Sequence, residues 1–357
     1  MTVDLASLGW DASLAASYLE YASDTTDRVP GRVARVDRGV CTVLTAAGAV
    51  RASFGGAVLT AAGGDPAGLP CAGDWVVVRT WPDGRVTAEA VLPRRTRVVR
   101  RTADRRSVGQ VLAANVDLVA VVEPMDPAPD QGRVERLLSL AWDSGALPMV
   151  VLTKADLVPD PDAVVAQVAA CAPGVAVLAV SAERGEGTDR LRAGIRPGRT
   201  LALLGPSGAG KSTLVNALVG APAMATQRVR RTDGKGRHTT TYRALVPLPG
   251  GGAVIDTPGL RAVGLLDGAE GLDRTFADVA DLVAACRFAD CAHDTEPGCA
   301  VRAALEAGDL SPHRWESWRK LQRELAHEAR RRDARLAAEE RARWKRIHRQ
   351  LRSRPRP

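Results

Sequence analysis

The sequence predicts a multidomain chain: an N-terminal all-β barrel, a central α/β domain and a cysteine-rich α-helical module. Short β-type segments separated by Gly and Asp-Gly turns fill residues 30–95 and predict the barrel. Strand-like and helix-like segments alternate over residues 107–266, which predicts a doubly wound, mostly parallel sheet. Three cysteines and a histidine after residue 285 precede a long charged helix, so residues 267–357 form the third predicted unit.

Length and composition favour a cytoplasmic protein that folds without disulfides. The 357 residues are too many for one ordinary core, and 45% are hydrophobic while 25% are charged. No stretch approaches the roughly 18 uninterrupted apolar residues of a membrane helix. The first residues contain acids and lack a basic region followed by an apolar run, so we expect neither a secretory signal nor a membrane association.

The N-terminal part contains three features. Residues 1–29 are polar with weak periodicity, which predicts a loosely attached leader with at most one short helix. The segment LPCAGDWVVV, which places a Gly-Asp pair before a strand, favours a barrel of the oligonucleotide-binding (OB) type, with a pure scaffold as the alternative. Seven arginines between Arg94 and Arg106 predict a hinge to the α/β domain, either as a solvated linker or as an RNA-facing loop.

The segment GPSGAGKS, Gly205–Ser212, is the strongest chemical signal and is called the phosphate loop below. It fits the pattern GxxxxGK[ST] and lies between an apolar strand and a helix, so its backbone N–H groups can surround phosphates. Lys211 is expected to reach the β- and γ-phosphates, and Ser212 to bind Mg²⁺. The predicted phosphate-binding residues are Gly205, Pro206, Ser207, Gly208, Ala209, Gly210, Lys211, Ser212 and Thr213.

A second motif, DTPG, ends the apolar segment GAVI. Asp256 can hold Mg²⁺ through water, and Gly259 can donate its N–H to the γ-phosphate. The basic, glycine-punctuated stretch RTDGKGRHTTT lies between the two motifs and predicts a switch loop that orders around phosphate and metal. One threonine of residues 239–241 should complete the metal shell, and Thr240 is the predicted ligand.

Two further segments predict guanine recognition. In TKAD, the Lys154 stem can cover the base, and the Asp156 carboxylate can accept from the guanine N1–H and exocyclic amine. In SAERGEG, which begins at Ser181, the Ala182 N–H would face the guanine O6. These segments resemble the NKxD and SA motifs of translation-factor-related GTPases, with Thr153 where that pattern has Asn. A hydroxyl replaces only part of the amide's hydrogen bonding, while Lys154 and Asp156 provide most of the discrimination.

The order of these motifs predicts a circularly permuted GTPase domain that uses GTP, GDP and Mg²⁺. The guanine motifs precede the phosphate loop, whereas the usual GTPase has them last. Folding tolerates the rearrangement because domain termini usually lie close together at the surface. The DTPG strand and the switch then lead directly into the C-terminal module.

The C-terminal module begins with CRFADCAHDTEPGC. Three thiolates and an imidazole form a closed tetrahedral set suited to one structural Zn²⁺, with coincident cysteines as the alternative. The predicted zinc ligands are Cys286, Cys291, His293 and Cys299. The helix predicted from about His313 to Leu351 is basic, since residues 314–357 hold 16 Lys or Arg and 6 Asp or Glu. The net charge of that segment is +10 and that of the rest of the chain is −2, which favours a polyanionic partner of the segment.

The chain contains, in order, a barrel, a permuted GTPase domain, a cysteine cluster and a basic helix. This arrangement resembles the family of ribosome small-subunit-dependent GTPase A (RsgA), whose members are bacterial 30S assembly factors. The resemblance covers about residues 30–340 and is most specific in GRHTTT, GPSGAGKST, DTPG and the cysteine cluster. It implies a late-stage assembly factor, a monomer, that binds the 30S ribosomal subunit and its 16S rRNA. It also implies that the subunit stimulates GTP hydrolysis.

The resemblance further implies a role for His238 in catalysis beside Lys211 and Thr240. Many GTPases place a water-orienting Gln two positions after the DTPG glycine, but here Leu260 and Arg261 follow it. By resemblance, His238 of GRHTTT orients the water once the switch docks on RNA. Two other classes stay open at this point. A P-loop ATPase or kinase would show no guanine preference, and an RNA-binding protein with structural nucleotide would show no turnover.

Overall fold

The computed structural model describes residues 2–21, 27–101, 109–224, 243–259 and 269–332. The strands are β1 Arg28–Asp37, β2 Val40–Thr45, β3 Gly48–Phe54, β4 Trp75–Thr80, β5 Val86–Val91, β6 Arg97–Arg101, β7 Gly109–Ala114, β8 Leu118–Pro124, β9 Leu147–Thr153, β10 Ala176–Val180, β11 Thr200–Leu204, β12 Ala244–Pro247 and β13 Ala253–Asp256. The α-helices are α1 Ala12–Leu19, α2 Gly56–Ala62, α3 Gln131–Asp143, α4 Pro161–Ala170, α5 Thr188–Gly194, α6 Lys211–Val219, α7 Ala269–Thr275, α8 Ala277–Ala284, α9 Ala300–Ala307 and α10 Pro312–Arg332. Short 3₁₀ helices span Ala6–Leu8, Pro66–Gly68 and Ala155–Leu157.

The N-terminal unit is a closed five-stranded barrel, as predicted. Its strands follow the order β1-β2-β3-β5-β4, and β4 pairs with β1 to close it. All neighbours are antiparallel except β3 and β5, which are parallel. In β2 every second residue, Cys41, Val43 and Thr45, is buried, so the alternation in the sequence fills the barrel.

The central unit is the predicted α/β domain. Its strands follow the order β10-β9-β8-β11-β13-β12, and only β12 runs antiparallel to its neighbour. All five residues of β11 are buried, as expected for a central strand covered on both faces. In the parts of the chain that the structure describes, no helix is both long and apolar enough to span a membrane.

The barrel and the α/β domain share one continuous sheet. Strand β1 pairs with β12 at Arg35 and Ala244, which extends the sheet to 11 strands. Arg32 of β1 is buried at this junction, and its guanidinium donates to the backbone carbonyls of Leu8, Gly73 and Asn115. Burial lowers the Arg32 pKa to about 10. The side chain thus ties together the leader, the barrel and the central domain.

The prediction of a loosely attached leader is wrong for the residues that the structure describes. Leu8 and Leu14 are buried in the main core, and the rings of Trp10 and Trp75 lie 5.0 Å apart. Asp11 caps α1 by accepting from the N–H groups of Ser13 and Leu14. The Ser7 carbonyl accepts from the N–H groups of residues 198 and 252 in the α/β domain. These few contacts fix a segment whose average composition is polar.

The arginine-rich stretch is also not a free hinge over its first half. Residues 97–101 form β6, which pairs with β7 in a two-stranded sheet. Arg94 forms a bidentate ion pair with the buried Asp74, with both N–O distances at 2.7 Å. Residues 102–108 lie outside the described ranges. Val98 is fully buried, which explains why a strand forms here. The arginines on both sides of this short apolar segment make it read as polar in the sequence.

The C-terminal module packs on the α/β domain through a buried arginine. The Arg314 guanidinium of α10 donates to Glu135 of α3, to Asp278 of α8 and to the Cys171 carbonyl. It also lies over the Phe276 ring, 4.6 Å from its centroid. The predicted charged helix is present as α10 up to Arg332, and its predicted extension to Leu351 lies outside the described residues.

Candidate active site

The four sequence motifs converge at one edge of the central sheet. The phosphate loop follows β11, and the SA segment follows β10. The DTPG segment begins in the last residue of β13, and the TKAD segment begins in the last residue of β9. Strands β8, β9, β10, β11 and β13 are parallel, so their carboxyl ends lie along the same edge. This edge is where open α/β sheets place their ligands.

Lys211 begins α6 and points back into the phosphate loop. Its ammonium donates to the carbonyls of Gly205 and Pro206 at 3.0 and 2.9 Å. Only 6% of the residue is exposed, and burial lowers its pKa to about 8, although the carboxylates of Asp256 and Glu123 act in the opposite direction. The amine therefore lies inside the loop that the sequence predicts to surround phosphate.

The two predicted magnesium ligands on described residues are adjacent. The Ser212 hydroxyl donates to an Asp256 carboxylate oxygen at 2.8 Å. Asp256 is fully buried at the end of β13, and the next residue, Thr257, donates its hydroxyl to the Leu203 carbonyl at 2.7 Å. A hydroxyl and a carboxylate oxygen so placed are suitable donors for Mg²⁺, which prefers oxygen ligands.

The DTPG glycine lies against the phosphate loop. A Cβ atom at Gly259 would lie 2.6 Å from both the Cα and the backbone N of Ser207. Side chains do not tolerate such a distance to backbone atoms, so only glycine permits this approach. The predicted γ-phosphate contact of Gly259 is therefore consistent with its position, because the residue borders the phosphate loop.

The TKAD segment turns sharply at the end of β9. Thr153 is 2% exposed, and its hydroxyl donates to the Ala209 carbonyl of the phosphate loop at 2.6 Å. Lys154 has a left-handed backbone with φ of 61°, and its ammonium donates to the Asp126 carbonyl at 3.3 Å. Asp156 follows in the 3₁₀ helix Ala155–Leu157. The segment is thus fixed to its neighbours on both sides.

The SA segment forms a small closed turn beside the TKAD segment. Ser181 is buried and donates its N–H to the Glu186 carbonyl at 2.9 Å, while its hydroxyl accepts from the Arg184 N–H. Strand β10, which precedes it, pairs in parallel with β9 so that Val180 lies opposite Thr153. Ser181 and Ala182 therefore follow immediately beside the TKAD turn. The remaining predicted residues, His238 and Thr240, lie outside the described ranges.

Sequence analysis missed an ion pair beneath this site. Glu123, fully buried near the end of β8, accepts two hydrogen bonds from Arg133 of α3, one of them at 2.8 Å. Burial raises the Glu123 pKa despite this partner. The only signal in the sequence is an acidic residue at the end of the apolar run LVAVVEP. The pair fixes the start of α3 against the strand beside the phosphate loop.

The four predicted zinc ligands come together in the C-terminal module. Their ligand atoms all lie within 4.8 Å of one another, and the cluster could hold a metal ion. The His293 Nδ1 lies 3.5 Å from the sulfurs of Cys286 and Cys299, which are 3.9 Å apart. Tetrahedral thiolates at about 2.3 Å from zinc are separated by about 3.8 Å, so the donor set fits this ion.

The residues around this cluster hold the ligand loop in place. His293 has a left-handed backbone with φ of 60°, and its ring meets the Trp315 ring edge-on at 5.3 Å. Glu296 accepts hydrogen bonds from the backbone N–H groups of residues 292, 294 and 295. Its own backbone N–H and these three groups together lower its pKa to about 2. Cys299 caps α9 by accepting from the Arg302 N–H. The loop is therefore held in part by contacts that involve no ligand atom, namely those of Glu296.

Comparison with known proteins places this site in a family. The family model described as RsgA GTPase matches residues 91–266. The small ribosomal subunit biogenesis GTPase RsgA of Streptomyces coelicolor is 53% identical over 96% of this chain and 92% of its own length. The chain belongs to the RsgA GTPase family. The RsgA protein of Opitutus terrae is 46% identical over 99% of this chain and 98% of its own.

RsgA family membership makes the chain a GTPase, which sets aside the ATPase and kinase alternatives. Solved structures agree with the fold. The crystal structure of YjeQ from Thermotoga maritima matches with a TM-score of 0.60 and 26% identity, over 84% of this chain and 98% of that one. The crystal structure of YloQ, described as a circularly permuted GTPase, matches with a TM-score of 0.58 and 21% identity, which is evidence for the fold alone. A GTPase uses GTP, GDP and Mg²⁺.

Proposed function

We propose that this GTPase acts as a late-stage maturation factor of the 30S ribosomal subunit. The proposal rests on three relatives that align with nearly the whole chain at 53%, 52% and 46% identity. Each of them is named a small ribosomal subunit biogenesis GTPase. The barrel, the permuted GTPase domain and the cysteine module all fall within these alignments. The factor would bind 16S rRNA, hydrolyse GTP on the subunit and then dissociate.

In this proposal each described site residue has one role. Lys211 neutralises the β- and γ-phosphates, and the phosphate-loop N–H groups surround them. Ser212 and Asp256 would hold Mg²⁺, which would neutralise negative charge on the phosphates. Lys154 covers the guanine ring and Asp156 accepts from its N1–H and amine. The Ala182 N–H faces O6.

Two residues of the switch complete the proposed site. Thr240 would be the third magnesium ligand, and His238 would orient the attacking water once the switch docks on RNA. The reason for invoking His238 is the Leu260-Arg261 pair, which leaves no Gln after DTPG. His238→Ala should therefore lose the subunit-stimulated rate and retain GTP affinity. Full stimulated turnover in this variant would exclude the role.

We also propose that one Zn²⁺ occupies the cluster of Cys286, Cys291, His293 and Cys299. Its place between α8 and α9 supports a structural role, because all four positions of a tetrahedral ion have protein ligands. Cys286→Ser should lower the zinc content of the purified protein from one ion per chain toward zero. Cys171→Ala, which removes a buried thiol outside the cluster, is the matched control and should leave it at one. Equal zinc contents in the two variants would refute the assignment.

The positive charge of the C-terminal segment supports an RNA partner. Residues 314–357 carry a net charge of +10, and each neutralised phosphate makes binding weaker as salt rises. A cytoplasmic monomer is the form expected of a factor that docks on a subunit. GTP turnover by the full chain should be measured with and without purified 30S subunits at two salt concentrations.

The expected result is a slow intrinsic rate, a large stimulation by subunits at low salt, and less stimulation at high salt. Stimulation that is absent at both salt concentrations, despite GTP binding, would contradict the proposal. Undetectable turnover even with purified 30S subunits, despite GTP binding, would favour the alternative of an RNA-binding protein in which nucleotide is a structural ligand.

A further inference from the structure

We propose that Thr153 is a positioning residue, and that its hydroxyl ties the guanine-reading TKAD segment to the phosphate loop. The inference rests on the proposed guanine site and assigns a role to the position where the related motif has Asn. The threonine would thereby make base recognition and phosphate binding depend on each other.

The hydrogen bond is short and buried at both ends. The Thr153 Oγ1 lies 2.6 Å from the Ala209 carbonyl oxygen and 3.4 Å from that of Glu123. A hydroxyl has one proton, so the shorter distance assigns the donated bond to Ala209. Thr153 is 2% exposed and Ala209 1% exposed. Removing the hydroxyl would leave a buried carbonyl without this donor, which is costly.

On one side of the hydrogen bond, Thr153 is the last residue of β9 before the TKAD turn. It lies opposite Pro124 of β8 and Val180 of β10, and its own carbonyl accepts from the Met125 N–H at 2.8 Å. The left-handed turn at Lys154 follows at once and leads to Asp156. Any shift of Thr153 is therefore passed directly to the carboxylate that is proposed to read the base.

On the other side, Ala209 belongs to the segment that positions the phosphate-binding groups. The next residue, Gly210, has φ of 85°, and a Cβ atom there would lie 3.5 Å from the Thr153 Oγ1. The loop and β9 are thus in direct contact at this point. Helix α6 begins immediately afterwards at Lys211, the residue proposed to bind the phosphates.

The expected effect is on affinity and base preference rather than on the chemical step. A pre-formed link lowers the cost of ordering the site when nucleotide binds. Without it, Asp156 and the phosphate loop can each engage their part of the nucleotide in a less favourable relative position. KM for GTP should therefore rise while kcat stays close to that of the wild type.

The test compares Thr153→Val, which keeps the shape and removes the hydroxyl, with Thr153→Ser, which keeps the hydroxyl. Dissociation constants of the full chain are measured by calorimetry for GDP and for IDP, which lacks the exocyclic amine that Asp156 would read. The Thr153→Val variant should bind GDP about tenfold more weakly than the wild type and show a smaller preference for GDP over IDP. The GDP affinity of the Thr153→Ser variant should stay within about threefold of the wild type. The unfolding midpoint of the nucleotide-free variants verifies folding, and Thr153→Ala replaces Val if the latter does not fold.

Two results would overturn the inference. One is wild-type GDP affinity in the Val variant. The other is a weaker affinity for GDP with an unchanged ratio of the GDP and IDP dissociation constants, which a merely structural role would produce. A wild-type protein that does not prefer GDP over ADP would instead contradict the proposed guanine site, so the two failures are distinguishable.

Discussion

Lys211 combines a charge with burial in the nucleotide site. The ammonium is held by two carbonyls of the phosphate loop, and its burial lowers the pKa to about 8 in the nucleotide-free protein. A bound phosphate favours the charged amine and raises the pKa again. The residue is therefore charged in both states below pH about 8, and only in the bound state above it.

This difference predicts how GDP affinity depends on pH. Affinity should be flat below the Lys211 pKa of about 8 and fall above it, by up to about tenfold per pH unit, because binding then requires uptake of a proton. Calorimetry in two buffers of different ionisation enthalpy, about one unit above this pKa, measures the uptake directly. In Lys211→Arg the guanidinium stays charged, so the residual binding should take up no proton. No proton uptake by the wild type would contradict the assignment.

Among the elements, the leader shows how few side chains determine attachment. Leu8 is 1% exposed in the main core, whereas Leu19, at the end of α1, is 71% exposed. The two leucines lie in the same short segment, but one is packed in the core and the other is exposed to solvent. The weak periodicity of the segment does not distinguish them.

Leu8→Ala is therefore predicted to lower the free energy of unfolding by about 2–5 kcal/mol, since it removes buried methyl groups and leaves a cavity. Leu19→Ala is the matched control and should change it by less than about 0.5 kcal/mol. Urea denaturation followed by tryptophan fluorescence measures both. Equal effects of the two substitutions would mean that the leader is not docked as described.

The elements that sequence analysis predicted well share a clear local signal. Strand β11 is a continuous apolar run followed by the phosphate loop and α6, so pattern and motif agree. Strand β6 has no such signal, because its buried Val98 lies among arginines that dominate the local composition. Thr153 was recognised as a departure from the usual Asn, but its partner Ala209 is 56 residues away, and only the fold brings them together.

For the whole molecule, the Arg314 contacts connect the C-terminal module to the GTPase domain. Arg314 and Glu135 are 179 residues apart in sequence, and their side chains are 5% and 0% exposed. Burial raises the Glu135 pKa, while the arginine opposes that effect. No local pattern marks Arg314 among the many charged residues of α10. Because of the permuted order, the DTPG motif is followed along the chain by the C-terminal module.

Arg314→Met is predicted to destabilise the protein by about 3–5 kcal/mol, because it leaves Glu135 buried without its charged partner. Glu135→Gln in the same background should recover part of that loss. Arg302→Met is the control: it breaks an exposed pair with Glu306 and should cost no more than about 1 kcal/mol. Urea denaturation measures all four proteins, and a near-neutral Arg314→Met would show that the modules are held together by other contacts.

In the proposed site, the Asp156 carboxylate, which lies upstream of the phosphate loop in sequence, reads the guanine of a nucleotide whose phosphates that loop binds. The most direct measurement is the affinity of wild type and Asp156→Asn for GDP and for XDP, in which a carbonyl replaces the exocyclic amine of guanine. The wild type should prefer GDP, and the variant, whose amide can donate to that carbonyl, should prefer XDP by about tenfold or more. An unchanged preference for GDP in Asp156→Asn would contradict the account.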